Sequence, residues 1–172
     1  MQRANSLSRS WRQNAIFFMA ALLVTTADQF SKSWIRSNII LGESMPKTGF
    51  FRLAHVHNTG SAFGLFQDQA LLLTIVAFIG ITALLFFALS RSRHFSSLAT
   101  MPAKLALGLI FGGTVGNLLD RLNNGYVTDF IVVGRWPAFN IADSSVVVGA
   151  IFIAYLLIRL TDNSEHRDGQ NT

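Results

Sequence analysis

The chain has 172 residues, 51% of them hydrophobic and 13% charged, about half the charged share of ordinary soluble domains. With a mean hydropathy of +0.40, this balance excludes an ordinary soluble fold and reads as a membrane protein built as one domain. The net charge is +5 and there is no cysteine. A disulfide framework, a cysteine metal centre, a thiol nucleophile and lipid attachment through a cysteine are therefore excluded. The basic residues sit at segment ends and form no patch with interleaved aromatics, which argues against nucleic acid and fits cationic flanks of membrane spans.

Four apolar stretches, about 14–34, 70–90, 104–122 and 139–160, are each near the twenty residues that a helix needs to cross a bilayer. They run continuously, without two-residue alternation, so helices are expected. The first follows Arg3, Arg9 and Arg12 and contains the small-residue run "TTA", as a cleaved leader does. Asp28, Gln29 and Lys32 extend it in a helical pattern, however, and we expect a retained helix. Between spans one and two, "FFRLAHVHN" partly alternates as a strand does, and "NTGSAFG" reads as a turn. A small sheet is expected within 35–69 at the outer membrane surface, with Phe50, Phe51, Phe63 and Phe66 as interfacial anchors. The polar stretch 162–172 reads as a disordered tail. With both termini inside, eight Lys and Arg fall on the inner side and six on the outer, which favours that orientation.

Ionisable residues inside spans are costly and need a reason. In this topology Asp28, Asn58, Asp120, Asp129 and Asp143 collect near one face of the membrane. For any one of them a helix-end cap is explanation enough; together they suggest a site. Asn117, Asp120 and Arg121 share a face of span three at i, i+3 and i+4, beside the overlapping small-residue steps of Gly108, Gly112 and Gly116, which suit close helix packing. Asp120 and Arg121 read equally as an interfacial ion pair. Asn140 and Asp143 open span four after Pro137, where a carboxylate suits the helix dipole.

Asp129 has no such structural excuse. A bend at "GRWP" returns the chain from span three to span four and brings Asp129 beside Asp143. Two carboxylates in one site share a proton, and such a pair activates water and protonates a departing amine, as in aspartic proteases. Asp120 is an alternative partner for Asp143, but Asp129 on the exit segment has freer access. His55 and His57 share a strand face but lack a third metal ligand at a useful spacing. An ion transporter and a non-catalytic assembly subunit are rival readings. The first would place its carboxylates at mid-membrane within repeats, and no repeat is visible.

The stretches "ADQFSK" (27–32), "HNTGSAFG" (57–64), "GGTVGNLLDRLNNGYVTDF" (112–130) and "FNIADSS" (139–145) resemble, in order, those of the lipoprotein signal peptidases, or signal peptidase II. The resemblance spans about 14–160. It implies an all-α membrane protein of four transmembrane helices with a small extracytoplasmic β-cradle, lying in the bacterial inner membrane with cytoplasmic termini and its site near the outer face. It implies an aspartic endopeptidase that cuts prolipoproteins just before a diacylglyceryl-modified cysteine. By the matching motifs the dyad would be Asp129 and Asp143; Asn58, Gly60, Asn117, Asp120, Arg121 and Asn140 would line or brace the site, and Asp28 would support it. No cofactor or metal is implied. Lipidated prolipoproteins and membrane lipid are the implied partners, globomycin-type cyclic peptides the implied inhibitors, and a monomer is expected because one chain holds the whole site. The chain departs from the family pattern at Thr128, where many members carry Val, and at "IVVGRWPA", which lacks the longer polar insert of many relatives and tightens the bend. The 35–69 segment and the loop after span three are expected to gate lateral entry of substrate.

Overall fold

The helix 101–124 carries glycine where its neighbours come closest, and this decides the packing. In the computed structural model, which describes residues 2–60, 70–89 and 100–168, the described residues form α1 (Gln2–Asn38), β1 (Ser44–Met45), β2 (Phe51–Asn58), α2 (Ala70–Leu89), α3 (Met101–Asn124), β3 (Val127–Val133) and α4 (Ile141–Asp168). Thr100 caps the N-terminus of α3 by accepting from the Ala103 N–H, and Gly125 ends the helix in the left-handed region at φ 79°. α3 is the hub against which α1, α2 and α4 pack.

A Cβ at Gly108 would lie 2.6 Å from the Phe17 carbonyl oxygen, and one at Gly112 2.6 Å from that of Ala21. On another face of α3, Gly113 lies against the Ala142 carbonyl, and Gly149 of α4 closes on that of Ala106 at 2.7 Å. In lipid, helices gain little from hydrophobic association, so backbones brought together by small residues supply the packing. The Thr25 hydroxyl adds a hydrogen bond to the Gly112 carbonyl at 3.0 Å.

Large apolar side chains point outward, among them Ile79 and Phe86 of α2 and Ile151 and Ile158 of α4, while Asp28, Lys32, Asp120, Asp129 and Asn140 are buried. This inversion of the soluble pattern suits helices bathed in hydrocarbon. Among the described residues, three stretches are long and apolar enough to cross a membrane: Leu71–Leu89, Met101–Asn124 and Ile141–Arg159. α1 falls outside that set; Asp28, Gln29 and Lys32 make the later part of its apolar run polar. It is also longer than the 14–34 expected from sequence, and α4 continues to Asp168, into the stretch expected to be disordered. No proline or glycine interrupts Thr161–Asp168, so the helix has no breaker there.

The sheet is antiparallel in the order β1-β2-β3. The sequence reading placed a sheet within 35–69; the structure adds β3, from the connection between α3 and α4. The register sets Phe51 opposite Val133, Val56 opposite Asp129 and Asn58 opposite Val127, with a bulge between Leu53 and Val56. After β3 the chain turns at Gly134 (φ 56°), and Phe139 returns to exchange hydrogen bonds with Ile131 at 2.7 and 3.0 Å. The short "GRWP" segment thus closes as a tight bend. Phe50 and Phe51 are exposed. Phe63, Phe66 and residues 61–64 of the turn expected at 58–64 lie outside the described residues.

Candidate active site

Asn140 organises the site. It caps α4: its side-chain oxygen accepts from the Asp143 N–H at 2.8 Å, and its own N–H donates to an Asp143 carboxylate oxygen at 3.2 Å. This reciprocal pair is a capping box with Asp in the acidic position. The Asn140 side-chain nitrogen meanwhile donates to Asp129 Oδ1 at 2.7 Å and to Asn117 Oδ1 at 3.1 Å. Asn117 donates to Asp143 Oδ1 at 2.8 Å. Asn58, at the end of β2, donates to Asp129 Oδ2 at 2.9 Å and accepts the Gly60 N–H at 2.9 Å. One strand carboxyl and one helix carboxyl are therefore linked through a fully buried asparagine.

Both line a cavity of about 1100 Å³ between α2, α3 and α4. Its walls are apolar side chains such as Val76, Leu84, Phe87, Ile110 and Val147, and its polar end is formed by Asn58, Asn117, Arg121, Asp129 and Asp143. Asp129 is only 2% exposed. Burial, and then the charge of Asp143, push its carboxyl up to about 7, against hydrogen bonds from Asn58 and Asn140 that act the other way. Arg121 faces the cavity with its charge near Asp143 and Asp129.

Asp28 and Asp120 lie behind this surface, outside the cavity lining. Lys32, with no exposed surface, bridges them: its ammonium is 2.8 Å from Asp28 and 3.3 Å from Asp120, and it donates to Asn117 Oδ1 at 2.8 Å. Asp28 also accepts the Ala142 N–H at 3.0 Å, tying α1 to the first turn of α4. Asp120 accepts the Thr128 N–H at 2.9 Å and so holds the start of β3, next to Asp129. Its second cation is Arg36, at 3.4 Å. The expected Asp120–Arg121 pair is thus corrected to Asp120 with Lys32 and Arg36, because adjacent residues on a helix point apart.

Sequence reasoning missed Lys32 and Arg36 as site residues: Lys32 entered as part of the helical extension of the first span and of the "ADQFSK" stretch, and Arg36 only among the outer-side charges that set orientation. The i, i+4 spacing of Asp28 and Lys32 was the available signal. Thr128, where the chain departs from the family pattern, accepts a hydrogen bond from Arg36 through its hydroxyl at 3.0 Å. His55 and His57 serve the sheet: His55 Nδ1 meets the Ile39 carbonyl at 2.8 Å, and the His57 ring stacks on Tyr126 with centroids 3.5 Å apart.

Residues 20–159 match the family model described as signal peptidase (SPase) II. A lipoprotein signal peptidase of Dehalococcoides mccartyi is 46% identical over 144 residues, covering 83% of this chain and 89% of the relative. That of Moorella thermoacetica is 40% identical, with 83% and 92% covered. A solved bacterial membrane enzyme superposes with a TM-score of 0.77 at 30% identity, covering 86% of this chain and 90% of its own. Helices suited to crossing a membrane several times, a pair of carboxyls at the polar end of one cavity and these matches agree, and the chain belongs to the signal peptidase II family, proteases that remove signal peptides from lipoproteins.

Proposed function

We propose that the chain is an aspartic endopeptidase whose dyad is Asp129 and Asp143, acting on diacylglyceryl-modified prolipoproteins at the bond just before the lipidated cysteine. The observation that carries this reading is the Asn140 bridge: it holds both carboxyls at the polar end of a long apolar cavity. Two carboxyls in one site share a proton near neutral pH, and Asp129, raised to about 7, is the member that retains it. Asp143 takes a proton from the attacking water while Asp129 protonates the carbonyl oxygen. Collapse of the tetrahedral intermediate then passes a proton to the departing amine nitrogen. The apolar walls suit a signal helix and acyl chains, with Arg121 positioned for polar groups of the substrate. α1 serves as a fourth membrane-crossing helix, both termini are cytoplasmic, and the dyad lies near the outer face.

The test is incubation of the purified protein with a diacylglyceryl-modified precursor and with its unlipidated form, followed by mass analysis of the products. The reading expects one new N-terminus, at the modified cysteine, from the lipidated substrate alone. Cleavage elsewhere, or no cleavage of the lipidated precursor, contradicts it.

A further inference from the structure

The end of the sheet away from the dyad has its own chemistry. β2 starts opposite the end of β3, so the 46–50 loop and the turn at Gly134 lie side by side. The Gly134 N–H donates to the Phe50 carbonyl at 2.6 Å, and the Phe50 ring occupies the space where a Cβ on Gly134 would point. Met45, Phe50, Phe51 and Trp136 are 59%, 75%, 57% and 64% exposed. Lys47 and Arg135 are exposed among them and Arg52 is half-buried, its Nε buried without a hydrogen-bond partner. The salt bridges found among the described residues all fall on Asp28 and Asp120, so none engages these three cations.

Exposed aromatic rings among cations that no salt bridge between described residues engages form a surface suited to the bilayer interface, where rings sit at headgroup level and cations meet lipid phosphates. We propose that this tip binds the headgroups of anionic phospholipids and so seats the sheet, and the cavity rim that Trp136 also borders, on acidic lipid. The inference rests on the reading of the helices as membrane spans. Charge complementarity selects anionic over zwitterionic lipid: only the former brings net negative charge to Lys47, Arg52 and Arg135.

The chain has three tryptophans. Trp11→Phe with Trp34→Phe leaves Trp136 as sole reporter. The protein is reconstituted in vesicles of fixed phosphatidylglycerol and phosphatidylcholine content, with brominated acyl chains on one lipid or the other. The proposal expects brominated phosphatidylglycerol to quench Trp136 at least about twofold more per mole than brominated phosphatidylcholine. Lys47→Gln with Arg135→Gln, or high salt, brings the two to parity. Equal quenching in the parent overturns the proposal, as does quenching by neither. A separate variant with all three tryptophans replaced by Phe and with Phe86→Trp, on the outward face of α2, keeps the two readings apart. If its indole is quenched while Trp136 shows no preference, the spans stand and the tip assignment alone fails; if it is unquenched, the membrane reading fails.

Discussion

Lys32 is buried with two carboxylates, and its removal leaves Asp28 without a cation and Asp120 with Arg36 alone. Lys32→Met is expected to destabilise the protein by about 3–5 kcal/mol, the usual cost of stranding buried charge, seen as a fall in the thermal midpoint in detergent. A variant that melts with the parent would contradict the ion network. Asp129 carries the pH dependence. Its carboxyl is raised from 3.8 to about 7, so between those values the folded chain binds a proton that the unfolded chain has lost. Stability from this group therefore falls as pH rises from about 4 to about 7. Turnover is expected to fall through an apparent pKa near 7 as the shared proton is lost, and a pH–rate profile flat from 6 to about 9 would remove Asp129 from the acid role. These partnerships were only partly legible in the residues. The i, i+4 pair of Asp28 and Lys32 was visible, but the meeting of Lys32 with Asp120 requires α1 to lie against α3, which no local pattern encodes.

At the scale of elements, the glycine steps of α3 were readable as a packing face because only small residues tolerate such close backbones. Gly112→Val places its Cβ 2.6 Å from the Ala21 carbonyl and is expected to cost about 1–3 kcal/mol or more, measurable by the same unfolding assay; Gly125→Ala, with open space around it, should cost less, arising from its positive φ. The capping box at Asn140 and Asp143 joins folding to chemistry. Asn140→Ala is expected to lose about 0.5–2 kcal/mol of stability and to lower turnover further, since Asp129 loses a donor; an unchanged rate would separate cap from site. Strand β3 was not legible, because "VTDFIVV" is too short and apolar to distinguish strand from exit loop. Its pairing with β2 across the whole of α2 and α3 is what fixes Asp129 opposite Val56.

For the whole molecule, composition and the apolar runs marked a membrane protein, and the order of the four motif stretches marked the family. The sequence reading favoured Asp129 over Asp120 for its freer access, and the geometry supports that preference. Asp120 is saturated by Lys32, Arg36 and the Thr128 N–H and lies outside the cavity, whereas Asp129 and Asp143 both face it. The long first helix and the extension of α4 to Asp168 were missed because hydropathy marks the apolar part of a helix and not its polar ends. The central claim is the identity of the dyad. Its most direct test is cleavage of a diacylglyceryl-modified precursor by Asp129→Asn, Asp143→Asn and Asp120→Asn beside the parent, with folding checked by thermal unfolding. The account predicts that the first two, still folded, lose at least about a hundredfold in turnover, while Asp120→Asn loses stability and retains measurable cleavage. A folded Asp129→Asn that cleaves normally beside a folded, inactive Asp120→Asn would contradict it.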